Sequence, residues 1–499
     1  MREIIYIQHR RLSLIPFIFL LALSSCQSSG SKAARIDDYL QSCFESDQFN
    51  GCILVAGKGK VIYHKAFGIA NFDPVIPLQL DSQFRLASVS KQFTAMAIML
   101  LKEQGKLDYD DDMRKYLPKL SYPGITIRHL LNHTSGIPKY EDLCGRYWDP
   151  EHEIFLEKKY ATNDDIIDML VEYRPDTLFK PGDRYSYSNT GYVLLASIVS
   201  RVSGEPFEIF MKKEIFDLLE MSHTLVYSAI RDDPMDNRVY GYRLALNGSD
   251  YLPNDFHYMS GIVGDGAIYS TTGDLFKWDR ALYTEKLIPI SSLEEAFTPV
   301  VLNSGKTSNY GFGWGIDTSL TGKKVVSHGG GWIASRTWIL REIEEDNTII
   351  ILTNHSSRYF DEIRKGIDLI LHDRPYSLPK INISQIIGKT VVTQGIEAAV
   401  SQYQDLKKNK SEQYNFSKWE LNSLGYDLIK LEKTTEAIEI FKLNIDAHPE
   451  FPRAYNDLGD AYRLNGNLEQ AIETFEKTLK LDPDNRYAIK KLKQLTEKG

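Results

Sequence analysis

Two apolar runs, Cys52–Ala56 and Lys60–Gly68, flank the turn Gly57-Lys58-Gly59. β-Branched residues on either side of glycines predict a β-hairpin. A short helix over 36–49 is expected ahead of it. The period changes in Val89–Leu107, where Phe93, Ala97, Leu100 and Leu101 recur at three-to-four spacing and Gly105 marks the stop, predicting a helix. Further helices are expected over 125–134 and over Tyr192–Val202, within a region of helices and long loops from 140 to 300. Strand character returns in Tyr310–Asp317, Lys323–His328, Ser335–Leu340 and Asn347–His355, with a charged turn over Glu342–Asp346. Strands at both ends and helices between predict a single sheet assembled from both ends of residues 36–370 around a helical insertion. The fold class is α+β, mixed α/β.

Residues 371–414 read as a linker with a helix over 395–408. A repeat then begins. Leu424-Gly425, Ala437, Phe441 and Pro449 return 34 residues later as Leu458-Gly459, Ala471, Phe475 and Pro483. That period and those offsets resemble the tetratricopeptide repeat, implying an all-α segment over 415–499 with two repeats and a capping helix. The repeats offer a surface for a protein or peptide partner, although two are few for a free-standing solenoid, and packing is the plainer role.

Ahead of the hairpin, Arg2, His9, Arg10 and Arg11 precede the apolar run Leu12–Leu23 and the residues Leu-Ser-Ser-Cys ending at Cys26. A basic flank and a short apolar core read as a secretory signal over 1–25. The small residues before Cys26 resemble a bacterial lipoprotein signal. That implies a lipidated Cys26, a polar tether over 26–35 and a membrane-anchored protein outside the cytoplasm. The other cysteines, Cys43, Cys52 and Cys144, match no metal spacing, and a disulfide between two of them is left open. A formal charge of −8 disfavours nucleic acid as a partner.

Three clusters carry candidate chemistry. Ser88 and Lys91 stand three apart at the start of a predicted helix, on one face, so the amine can reach a hydroxyl that needs a base to become nucleophilic. Ser90 lacks that relation to Lys91. Tyr187 and Asn189, in a loop after Lys180-Pro181-Gly182-Asp183, converge only if the backbone turns. A tyrosine lowered in pKa beside a lysine ammonium can carry protons. His328-Gly329-Gly330-Gly331 directly follows a strand, and glycines beside an edge strand let substrate backbone approach closely and leave an amide free as an oxyanion donor. Each cluster alone has a bland reading: a helix cap, a polar loop, a bend. A metal at His328 lacks any His-Glu-x-x-His pair or compact ligand set. His129 and His133 read as loop-ordering residues, Asp265 as fixing a glycine-rich loop, and Trp278, Trp314, Trp332 and Trp338 as core or pocket wall.

In this order the clusters resemble the serine beta-lactamase and penicillin-binding-protein superfamily. The class C-like branch of D-alanyl-D-alanine carboxypeptidases, D-aminopeptidases and esterases fits best. Ile127–Pro138 and Gly264–Thr271 resemble its connecting text. The resemblance implies an antiparallel sheet flanked by helices, with Ser88 as acylated nucleophile and Lys91 and Tyr187 sharing its proton. Asn189, His328 and Gly330 would bind substrate, and the backbone N–H groups of Ser88 and Gly331 would form the oxyanion hole. The substrate is a small peptide or ester, and no metal or organic cofactor is implied. His328 stands where beta-lactamases carry a lysine, so esterase or peptidase activity is expected over antibiotic hydrolysis. A non-catalytic peptide-binding scaffold is the reading from another class.

Overall fold

The computed structural model describes residues 30–148, 160–231, 235–355 and 358–496. The predicted signal over 1–25, Cys26 and the first part of the tether lie outside them. No helix among the described residues is long and apolar enough to cross a membrane. The chain divides into two units: 21–243 with 253–378, and 379–499 with the short stretch Leu244–Leu252.

The larger unit is built on a six-stranded antiparallel sheet. Its strands are β1 (Gly51–Gly57), β2 (Lys60–Phe67), β3 (Gly315–Thr318), β4 (Lys324–Trp332), β5 (Ser335–Glu342) and β6 (Asn347–Thr353), in spatial order β3-β4-β5-β6-β1-β2. The last strand of the meander pairs with the first of the hairpin, Gly51 opposite Thr353 and Ile53 opposite Ile351. The two ends of the unit therefore close one sheet, as the pattern predicts. The hairpin turns where Lys58 and Gly59 both take positive φ, 51° and 70°, the backbone a two-residue turn between twisted strands requires. Strand β3 is shorter than the expected run: Tyr310–Trp314 lies outside it, and Gly313 has φ of 77°.

Both faces of the sheet are buried, which is why its central strands read as unbroken apolar runs. Cys52, Leu54, Ile350 and Leu352 face the larger core, while Ile53, Val55, Ile349 and Ile351 face the smaller one. This is the two-residue alternation of a pleated strand. On the smaller face lie α1 (Lys32–Glu45) and, near the end of the unit, a helix over Phe360–Leu371. The first helix starts earlier than expected because Ser31 caps it, its hydroxyl accepting from the Ala34 amide. The larger core holds α2 (Lys91–Glu103) and α3 (Asn189–Ser203), both nearly enclosed, together with the helix Thr272–Ala281. Helix α4 is Phe360–Leu371. Cys43, Cys52 and Cys144 are all buried and free, so no disulfide links them.

The second unit is helical: α5 (Ile383–Gln394), α6 (Ile396–Asn409), α7 (Lys418–Lys430), α8 (Thr434–Ala447), α9 (Pro452–Leu464), α10 (Leu468–Leu481) and α11 (Arg486–Thr496). Helix pairs α7/α8 and α9/α10 carry the two 34-residue periods read in the sequence. Their signature residues explain themselves: a side chain at Gly425 would collide with the Phe441 ring, and one at Gly459 would lie 2.9 Å from Phe475. Each glycine admits the phenylalanine of its paired helix. The predicted linker, read with one helix over 395–408, holds two, α5 and α6. Ile383, Ile387 and Val391 of α5 and Tyr403 of α6 share one core with Leu424, Leu428 and Phe441 of the first repeat.

Candidate active site

Ser88 sits in a 3-10 turn, Ala87–Ser90, that runs straight into α2. Ala87 takes a positive φ of 48°, a conformation that costs a residue with a Cβ and that clusters at functional sites. Strand β4 packs directly over this turn. His328, Gly330 and Trp332 alternate onto the face toward it, and a Cβ on Gly330 would fall on the Leu86 carbonyl and the Thr337 hydroxyl, with Ala87 3.2 Å away. Thr337 of β5 reinforces the contact by donating to the Leu86 carbonyl at 2.6 Å. The His-Gly-Gly-Gly segment, expected directly after a strand and beside its edge, is itself the outer half of that strand. Strand β3 pairs with β4 only as far as Ser327. Beyond it, among the described residues, no strand covers the free edge of 328–332.

Lys91 is fully buried and donates to Ser88 Oγ at 3.2 Å and to the Asp265 carbonyl at 2.7 Å. Burial lowers its pKa from 10.5 to about 8, against the opposing pull of Asp265 and Glu141. Its ammonium nitrogen lies 5.1 Å from the centre of the Tyr187 ring. The Tyr187 hydroxyl is enclosed without a hydrogen bond of ordinary geometry, though Ser88 is near enough to favour its ionised form. Burial outweighs that help and pushes the phenol above its usual value, opposite to the lowering expected from Lys91. Ser90 plays a different part, its hydroxyl accepting from the Ile268 amide.

Asn189 is the first residue of α3, where a loop was expected. Its amide donates to Glu141 Oε1 at 2.6 Å, leaving Asn189 Oδ1 and Glu141 Oε2 without partners. Glu141 reaches it because the neighbouring Tyr140 amide donates to Thr190 Oγ1 at 2.8 Å, tying the helix Tyr140–Tyr147 to the start of α3. Burial raises the Glu141 pKa, with the Asn189 hydrogen bond opposing it. Asp265 accepts from the Tyr140 hydroxyl at 2.9 Å, so it does order the glycine-rich loop, and its carbonyl also holds Lys91.

His328 is enclosed between two partners. Nε2 lies 2.8 Å from the Tyr310 hydroxyl and Nδ1 2.7 Å from the Gly329 carbonyl. A carbonyl can only accept, so Nδ1 carries the proton and Tyr310 donates to Nε2. Burial, then Lys91, lowers its pKa from 6.5 to about 3, so the ring is uncharged at every ordinary pH. Its ring centroid is 6.2 Å from that of Tyr187. His133 accepts the Ser188 amide at 3.2 Å and packs at a tilt against Tyr187, centroids 4.2 Å apart, and against Tyr310 at 4.7 Å. His129, by contrast, lies away from this cluster and closes a capping box with Thr126.

The structure therefore brings Ser88, Lys91, Tyr187, Asn189, His328 and Gly330 together around one turn. Glu141, His133 and Tyr310 belong to the same cluster; His133 orders the loop through the Ser188 amide, while Glu141 and Tyr310 carried no site signal in the sequence because burial gives them their role. Trp278 and Trp314 are core; Trp332 lies under the Arg85 guanidinium at 4.2 Å.

The beta-lactamase family profile matches residues 36–372, and a tetratricopeptide repeat profile matches 452–485. The chain belongs to the beta-lactamase family. It is a serine hydrolase of that superfamily, in the branch of carboxypeptidases, D-aminopeptidases and esterases, followed by a tetratricopeptide-like helical segment. It is 41% identical over 360 residues to penicillin-binding protein 4* of Bacillus subtilis, which covers 70% of this chain and 78% of that protein. A D-aminopeptidase of Gluconobacter oxydans is 26% identical over 314 residues, 62% of this chain and 56% of its own length. Among solved structures, the octameric penicillin-binding protein homologue from Pyrococcus abyssi superimposes with a TM-score of 0.58 at 27% identity, over 68% of this chain and 77% of that one.

Proposed function

We propose that this protein hydrolyses amide or ester bonds of D-amino-acid peptides, peptidoglycan-derived peptides or small esters through an acyl-enzyme on Ser88. The observation that carries this is the Lys91 amine, buried, 3.2 Å from Ser88 Oγ and lowered to about 8. In this reading the free amine takes the hydroxyl proton as Oγ attacks the substrate carbonyl. The Ser88 and Gly331 amides hold the oxygen as it gains charge. Tyr187, its phenol kept protonated by burial, passes a proton with Lys91 to the departing nitrogen or oxygen, and water then hydrolyses the ester. Asn189, fixed by Glu141, presents an open acceptor to the substrate, and His328 with Gly330 lines the strand edge. An uncharged His328 provides no cation for a substrate carboxylate, which favours peptides or esters over beta-lactam antibiotics. Cys26 would anchor the protein by lipid outside the cytoplasm, and residues 415–499 would offer a surface to a protein or peptide partner.

The test is covalent labelling of the protein with a fluorophosphonate and a fluorescent penicillin, each adduct located by peptide mass spectrometry. Labelling at Ser88 supports the reading, and slow loss of a penicilloyl group would point to D-alanyl peptides. No adduct from either probe would leave a binding scaffold as the better account. The base must be unprotonated, so kcat/KM on any turned-over substrate should rise about tenfold per pH unit below about 8 and level off above it. A profile flat from pH 6 to 9 would remove Lys91 from that role.

A further inference from the structure

Far along β5 from the glycines, at the opposite end of the strand, lies a cluster that the hydrolase chemistry does not use. Glu342 ends β5, Glu345 sits in the turn to β6, and Asp368 and His372 come from the last turn and C-cap of α4. Donor atoms of Glu342, Asp368 and His372 all lie within 4.8 Å of one another. The sequence hides the set, because one pair is three apart, the other four apart, and 22 residues separate the two pairs.

His372 Nδ1 is 2.9 Å from the Asp368 carbonyl and 3.2 Å from its carboxylate, so that nitrogen carries a proton and donates it. The other nitrogen, Nε2, faces two carboxylates: Glu342 Oε1 at 3.0 Å and Glu345 Oε2 at 3.7 Å. Nε2 is also within hydrogen-bond distance of Glu342 Oε2, at 3.1 Å, and a carboxylate can only accept, so a positive charge belongs there: a proton that makes the ring cationic, or a bound cation. The His372 side chain is only 6% exposed and that of Glu342 1%, while Glu345, at 29%, opens the cluster to solvent on one side. Glu345 Oε2 is enclosed without a hydrogen bond of ordinary geometry, while Thr321 holds the carboxylate toward its ionised form. The cluster also lies at the C-terminal end of α4, where the backbone dipole draws cations. The nearby cations make their ion pairs elsewhere, Arg364 with Asp361 and Lys323 with Glu344, and reach Asp368 and Glu345 only at longer range.

The geometry points to a divalent transition-metal site formed by His372 Nε2, Glu342 and Glu345. Asp368 holds His372 from behind, the carboxylate–histidine–metal arrangement that fixes the imidazole tautomer. Around a tetrahedral zinc ion with bonds near 2.0–2.1 Å, neighbouring ligand atoms stand roughly 3.3 Å apart. The observed 3.0 and 3.7 Å bracket that spacing. A nitrogen with two carboxylates suits Zn2+ or Mn2+ better than Ca2+, which takes oxygen ligands. Two glutamates neutralise the ion, and the bound metal ties the end of α4 to the β5–β6 turn. It takes no part in acyl transfer.

The test is titration of the full chain, stripped with chelator, with Zn2+ by calorimetry at pH 7.5, repeated with Co2+ to read its visible absorption. One Zn2+ per chain is expected, with Ca2+ failing to compete. Glu345→Gln, at a partly exposed side chain whose loss leaves the fold intact, should weaken binding at least ~10-fold, and Asp368→Asn by about 10–100-fold. Binding of no Zn2+ by the wild type would overturn the site and leave a protonated His372 as the occupant. Zn2+ binding that is unchanged in Glu345→Gln and His372→Gln would overturn it equally, by placing the metal elsewhere.

Discussion

Lys91→Met is expected to cut turnover by roughly 10²–10⁴-fold and yet to unfold at a higher temperature than the wild type. The two effects have one origin. In the folded chain the amine is fully enclosed, and its pKa falls from 10.5 to about 8. A depressed lysine pKa means that the charged form is disfavoured by folding. The cost is complete below about 8, fades as the pH climbs toward 10.5, and is absent above it, where the amine is neutral in both states. At neutral pH a shift of that size corresponds to about 3 kcal/mol. Methionine has similar reach and no charge to desolvate, but it abandons the Asp265 carbonyl, so the net gain should be about 1–3 kcal/mol. Ser88→Ala should lose turnover at least as completely without the thermal gain. Melting curves at pH 7 and pH 10 check the account: the advantage of Lys91→Met should shrink at the higher pH. A variant that is inactive and less stable at both would mean that Lys91 is mainly a structural anchor.

What the sequence made legible follows from the range of the forces involved. The hairpin at Gly57–Gly59, the meander from Lys323 to His355 and the 34-residue repeat are local patterns, fixed by alternation, turn residues and spacing, and they are found where expected. Ser88 and Lys91 were legible for the same reason, since three residues of helix bring them together. The misreadings fall where tertiary contact overrides propensity. Three consecutive glycines are poor strand formers, yet Gly329–Gly331 are strand because β5 pairs with them and the turn carrying Ser88 leaves no room for side chains. Asn189 looked like loop after Tyr-Ser-Tyr-Ser, but it opens α3 through contacts with Glu141, 48 residues earlier. Tyr187 was expected to be acidified by Lys91; enclosure by His133 and Tyr310 reverses the sign. Glu342, Glu345, Asp368 and His372 converge only once a helix has folded back on the sheet.

The adjacent glycines Gly330 and Gly331 should respond in opposite ways to the same added methyl group. At Gly330 the new Cβ would meet the Leu86 carbonyl and the Thr337 hydroxyl inside van der Waals contact, with Ala87 behind them at 3.2 Å. Two of these obstacles are backbone or tightly held, and the third is the residue at positive φ beside the nucleophile. The strand must therefore retreat from the Ser88 turn, breaking the hydrogen bond from Thr337 to Leu86. A displacement of about 1 Å between nucleophile and oxyanion donor costs on the order of 100-fold in rate. Gly330→Ala is accordingly expected to label with fluorophosphonate about 100-fold more slowly and to melt lower. At Gly331 the strand alternation turns the same methyl to the opposite face, where it meets only the end of the exposed Arg336 side chain. That side chain is free to swing away, and the amide proposed to hold the oxyanion is retained. Gly331→Ala should keep labelling within about threefold of wild type, since moving an exposed side chain costs a few tenths of a kcal/mol. Equal losses at the two positions would mean that the segment serves as a flexible loop, and the close approach of β4 to Ser88 would not be what aligns the site.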